Sequence, residues 1–164
     1  MTTVPIRQII CAVRSGPESR ETVKRAIAVA LESGAKLTFF HVMDAEFLGY
    51  ATHGTLRVVY HELGEMGKFV MLILCDRARA RGVAQVDYLL REGNVRTQLR
   101  KLAIETGAEV MVIGRPTKSS TKNLFKAAEF DAFVADLEKE GNLRVIQVEP
   151  APIAEKDLQG GLVP

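Results

Sequence analysis

Cysteine is scarce in this 164-residue chain: Cys11 and Cys75 are the only two. Two thiols cannot build a disulfide scaffold, and neither has neighbouring ligands for a thiolate zinc site. Both are expected reduced and buried. Long apolar runs are missing too. The longest, Phe69 to Cys75, has seven residues, against the roughly 20 that a membrane helix needs. Residues 1–7 hold no signal-peptide core. A cytoplasmic, soluble domain without a membrane role is the expectation. Aromatic residues are 6% of the chain, and its three tyrosines do not interleave with basic residues, so no stacking platform for nucleic acid is expected.

Signatures of catalysis are equally thin. His41, His53 and His61 lack the His-Glu-x-x-His spacing of a zinc enzyme. Gly-x-Ser-x-Gly is absent. Asp44 and Glu46 follow an apolar run as isolated loop acids, and no carboxylates pair at a strand end. Neither a metal site nor a catalytic residue is expected, and the chain reads as a non-enzyme.

What the sequence does contain is the material of one α/β domain. Hydrophobic residues make up 47% and charged residues 26%, near the globular average for a chain long enough to bury a core. Ile9 to Val13, Lys36 to Val42, Gln85 to Leu90, Glu109 to Ile113 and Leu143 to Val148 are short apolar segments that read as strands. Between them lie segments of helical period. Glu18 to Ser33 places Val23, Ala26, Ile27, Ala30 and Leu31 on one face. Leu56 to Arg81 does so with Val59, Leu63, Met66, Val70, Ile73 and Leu74. Asn94 to Thr106 turns Val95, Leu99, Leu102 and Ala103 inward, and Ala127 to Glu140 turns Phe130, Phe133, Val134 and Leu137 inward. Gly34, Gly82, Gly107 and Gly141 follow the four helices as expected terminators. Strands alternating with helices predict a doubly wound parallel sheet covered on both faces. The domain is expected over residues 1–148. Residues 149–164, with three prolines and two glycines, read as an extended or disordered tail.

Charge is unevenly placed. Residues 68–126 carry twelve Lys and Arg against five Asp and Glu, whereas residues 127–157 carry eight acids against three bases. This asymmetry marks either a surface for an anionic partner or helix faces of opposite sign. The long helix reads as buried on two sides, against its own sheet and against either a partner subunit or the loop before it. Arg77, Arg79 and Arg81 suit its C-terminal dipole.

In such a sheet, ligands bind beyond the carboxyl ends of the strands where strand order reverses. The loop after strand one, Arg14 to Ser19, and the loop after strand four, Gly114 to Asn123, are the candidates. Ser15 with Glu18 fits a capping box. His41, inside an apolar strand, is expected to make a hydrogen bond at the strand end.

The order and local wording of these segments resemble the universal stress protein family. The carriers are Ile9-Ile-Cys-Ala-Val13 with its Ser/Gly turn, Ala35 to Val42, Arg91-Glu-Gly-Asn-Val95, and Ala108 to Gly114, within residues 7–148. The resemblance implies an adenine-nucleotide α-hydrolase-like fold with strand order 3-2-1-4-5. It also implies a homodimer through the last strand, here Leu143, Val145, Ile146 and Val148. A regulatory, stress-response binding module without catalysis follows, with a protein partner as a further expectation. ATP-binding members share Gly-x2-Gly-x9-Gly-Ser/Thr after strand four and an acid after strand one. Here Gly114 matches the first glycine, but Thr117, Ala127 and Ala128 occupy the other three places and Arg14 occupies the acid's. Val42 matches the adenine-side valine. The missing glycines remove close backbone approach to phosphate, so the site reads as degenerate. The alternative is an ATP or AMP sensor in which Val42 and Gly114 hold adenosine. Arg115, Lys118, Ser119 and Lys122 would then hold the phosphates by side chains, with Arg14 adding charge and Thr117 a donor at the same mouth.

Overall fold

Strands and helices alternate through the computed structural model, which describes residues 4–14, 19–44, 54–116 and 127–150, with the side chains at 54–57, 59 and 127 also outside the description. The order is β1 (Gln8–Ala12), α1 (Arg20–Ser33), β2 (Lys36–Met43), α2 (Gly54–Ala80), β3 (Val86–Glu92), α3 (Val95–Thr106), β4 (Val110–Gly114), α4 (Ala127–Gly141) and β5 (Arg144–Val148). The five strands form one sheet in the order β3-β2-β1-β4-β5, and every pairing is parallel. The expected doubly wound fold is therefore present.

Period-two alternation in the strands divides the core into two layers. Ile9, Cys11, Leu37, Phe39, Val110 and Val112 face α1 and α2. Ile10, Phe40, Val42, Met111 and Ile113 face α3 and α4. Both cysteines are buried and unbridged, and burial raises the pKa of each thiol.

Helix ends follow the sequence with one correction. Gly34 and Gly107 take the left-handed conformation and cap α1 and α3. The Asn94 side chain caps the start of α3 by accepting from the Thr97 N–H at 3.1 Å. Gly141, by contrast, remains helical, and the left-handed residue is Asn142, φ 49°. A Cβ on Gly141 would lie 2.8 Å from that of Ala103, so this glycine serves close packing of α4 on α3. In α1 the described helix runs from Arg20, and Glu18, the start expected from sequence, lies outside the described residues.

Two helix faces also differ from expectation. Leu31 of α1 is exposed, and Thr22 and Val29 are buried in its stead. In α2 the sheet-facing residues are Met71, Leu74, Cys75 and Ala78. Leu63, Met66, Val70 and Ile73, expected inward with Leu74, are exposed; Val59 lies outside the described residues. In α3 and α4 every expected apolar position lies in or against the second core layer.

Part of the charge asymmetry is internal pairing among the described residues. Arg96 of α3 meets Glu129 of α4 at 3.1 Å, and Arg100 meets Asp136 at 2.8 Å and Glu140 at 3.8 Å. The Arg100 guanidinium also lies 6.0 Å from the Phe133 ring. The basic helix and the acidic helix are neighbours on one face of the sheet. Among the described residues, no helix is long and apolar enough to cross a membrane.

Candidate functional site

The strand order reverses between β1 and β4, whose neighbours lie on opposite sides. Residues 13–14 and 114–116 leave the sheet side by side there, as the doubly wound rule requires. Ser19 closes the first loop. Its hydroxyl accepts from the Arg14 N–H at 2.9 Å and donates to the Arg14 carbonyl at 2.7 Å. Sequence reading assigns the local polar role to Ser15 and Glu18, which lie outside the described residues. Only a hydroxyl at the helix entry hints at Ser19. The Arg14 side chain is exposed at this mouth.

His41 behaves as its position predicts. Its Nδ1 lies 2.8 Å from the Val13 carbonyl oxygen, which requires the proton on Nδ1 and ties the exit of β1 to β2. The next residue, Val42, buries its side chain in the second core layer. Its backbone is the more informative part. Phe40 O accepts from the Val13 N–H on the β1 side, and Met43 O accepts from the Gly93 N–H on the β3 side. Alternation along a parallel strand then aims the Val42 N–H and C=O toward β1, into the space left where β1 turns away.

Gly114 ends β4 beside α1. A Cβ built there would stand 2.8 Å from Thr22 Oγ1. The absence of a side chain is thus accounted for by strand–helix packing. Arg115 follows, and its guanidinium faces its own chain. It lies 2.6 Å from Gln147 Oε1, 3.4 Å from Asp131 and 3.4 Å from Glu149, and 5.7 Å from the Phe130 ring. Its charge is largely matched by these acids. Thr117, Lys118, Ser119 and Lys122 lie outside the described residues. Ala128, at the place of the family's hydroxyl, is exposed on the first turn of α4. Of the eight residues named from sequence, the structure brings Arg14, Val42, Gly114 and Arg115 to one end of the sheet.

A cavity of about 370 Å³ opens beside this mouth, between the end of β2 and α2. Met43, Leu63, Met66, Val70 and Met71 make its lining mostly apolar, and His41, Asp44 and Tyr60 add polar groups to it. Among the described residues, no group of three His, Cys, Asp or Glu side chains could hold a metal.

The last strand is the expected dimer edge. Leu143 and Val145 point into the core, and Ile146 and Val148 are half-buried against it. What β5 offers outward is backbone. The Arg144 N–H donates to Glu109 O and the Val148 carbonyl accepts from the Arg115 N–H, so Val145 and Gln147 aim their backbone groups away from β4. The outward N–H of Val145 is already held by the Glu138 carboxylate at 2.9 Å, a device that blunts an open edge.

A parallel five-stranded sheet whose strand order reverses between β1 and β4 defines the class of doubly wound α/β domains. Within it the chain belongs to the universal stress protein family, whose sequence profile matches residues 5–127. Compared with curated protein sequences, the chain matches none. Solved structures share the fold. The universal stress protein UspA of Lactobacillus plantarum superposes with a TM-score of 0.69 at 16% identity, covering 89% of this chain and 99% of that one. A universal stress protein of Archaeoglobus fulgidus, in complex with dAMP, gives 0.55 at 16% identity over 88% and 98%. An Arabidopsis thaliana family protein with AMP bound gives 0.57 at 13% identity over 94% and 97%.

Proposed function

We propose that this chain is a regulatory binding module of the stress response that performs no catalysis and whose nucleotide site is degenerate on its phosphate side. Gly114 carries this reading. The one glycine kept from the phosphate-binding pattern is needed by Thr22, so its presence does not require a ligand. The charge of Arg115 is engaged by Asp131 and Glu149, and a phosphate would compete with both. Two buried thiols suit a reducing, cytoplasmic setting. Self-pairing at the β5 edge belongs to this reading and requires Glu138 to give up the Val145 N–H.

A second reading, an adenine mononucleotide sensor, rests on Val42. Its backbone donor and acceptor, aimed into the space beyond β1, suit the edge of an adenine ring, and the fold relatives named above hold AMP and dAMP. Arg14, Lys118, Ser119 and Lys122 would then meet one phosphate by side chains.

Thermal melting of the full chain separates the two. A ligand at about 100 times its dissociation constant stabilises by roughly 2.7 kcal/mol, a shift of about 5 to 10 °C for a domain of this size. The degenerate site is expected to show no shift with millimolar ATP and magnesium, nor with AMP. A shift with AMP alone that Lys118→Ala and Lys122→Ala reduce would establish the sensor. A shift with ATP would overturn the degenerate reading. In a decayed site, Arg14→Asp with Thr117→Gly, Ala127→Gly and Ala128→Ser should build ATP affinity.

A further inference from the structure

Helix α2 carries two apolar faces, and its own sheet uses one. Flanking Met71, Leu74, Cys75 and Ala78 runs a second series, Met66, Phe69, Val70 and Ile73, at 64, 65, 42 and 38% exposure, of which Met66 and Val70 also line the cavity beside β2. The spacing i, i+3, i+4, i+7 is that of a helix-packing seam. A contiguous apolar stripe of this kind marks an interaction surface, unlike scattered single residues. Charge is graded along it: exposed Glu62 precedes the stripe and exposed Arg77 follows it.

We infer that this face of α2 is a self-association surface, occupied by α2 of a second copy lying antiparallel. An antiparallel pair centred between Phe69 and Val70 sets Phe69 against the second copy's Val70 and Met66 against its Ile73. The same register sets Glu62 against its Arg77. Apolar residues meet apolar residues and acid meets base without adjustment. A parallel pair would put Glu62 on Glu62 and Arg77 on Arg77, which like-charge repulsion disfavours. Residues 45–53 lie outside the described residues; if they cover the stripe, the wild-type chain is monomeric.

Sedimentation of the full chain at high micromolar concentration tests this, with cysteine cross-linking to report the register. Phe69→Glu and Ile73→Glu should abolish association at the α2 face while leaving the circular dichroism of the fold unchanged, since both side chains are exposed. Glu62→Arg and Arg77→Glu should each weaken it by about fivefold, the range of rim charge pairs, and the double exchange should restore it. Met66→Cys mixed with Ile73→Cys should cross-link readily, and Met66→Cys alone should not. Cross-linking of Met66→Cys to itself would overturn the antiparallel pair. A monomeric wild-type chain would overturn the interface, as would association that appears only after removal of residues 151–164, because the tail would then be the occupant. Association that survives Phe69→Glu and fails when the β5 edge is blocked would also overturn it, without touching the β5 proposal.

Discussion

Single residues at the mouth decide whether the family site is a site here, and Gly114 is the sharpest case. A Cβ 2.8 Å from Thr22 Oγ1 must displace a buried side chain, so Gly114→Ala should destabilise by about 1 to 3 kcal/mol through overpacking. In a Thr22→Ala background the obstructing oxygen is gone and most of that cost should vanish, which denaturant titration of the four chains would show as a coupling energy. A cost that is the same in both backgrounds would mean the glycine is there for another reason. Glu109 is a second residue whose role is local. Its carboxylate accepts from the backbone N–H groups of Gln8 at 2.9 Å and Arg7 at 3.1 Å, and the Gln8 bond above all holds its pKa below the ordinary value of 4.5. A lowered folded pKa means the contribution is fully present above that ordinary value and is lost as pH falls through the folded one. Glu109→Gln should therefore cost about 1 kcal/mol at neutral pH and nothing in acid, where the two melting curves converge. Of these residues, His41 is legible from sequence because a polar group inside an apolar strand has few places to bond. Thr22 is not, because its neighbour Gly114 lies 92 positions away.

At the scale of elements the pattern carries furthest where each helix has one apolar face. Leu99, Leu102 and Ala103, and Phe130, Phe133, Val134 and Leu137, fall into the core as the 3.6-residue period dictates. For α2 the period is ambiguous, since two apolar stripes share one helix, and the sequence does not say which meets the sheet. Met71, Leu74, Cys75 and Ala78 face the sheet, and among them the small Cys75 and Ala78 suit a close approach of the helix to the strands, while Phe69 and Met66 are left outside. The charge blocks are visible as composition, but which helices face each other depends on crossover geometry. That geometry makes the α3–α4 pair testable. Arg100 is partly exposed yet serves Asp136, Glu140 and the Phe133 ring together. Removing it should cost about 0.5 to 1 kcal/mol, a drop of roughly 1 to 4 °C in melting temperature. High salt should shrink the difference between Arg100→Ala and wild type; a difference independent of salt would assign the loss to packing against Phe133.

Over the whole molecule, the two surfaces proposed for self-association sit at opposite ends of the sheet. β5 forms one edge, and α2 covers β2 and β3 at the other. Two different twofold contacts on one chain cannot both close within a pair. If both operate, the protein builds tetramers or open chains, and disabling either surface should leave dimers of the other kind. Pairing at the β5 edge, as proposed, must first displace Glu138 from the Val145 N–H. Glu138→Ala would free that donor, so mass by light scattering is expected to move above the dimer in this variant and to return to it when Phe69→Glu is added. If Glu138→Ala leaves the mass unchanged and Phe69→Glu alone yields monomers, the chain associates through α2 only, and its last strand ends the sheet as a guarded edge.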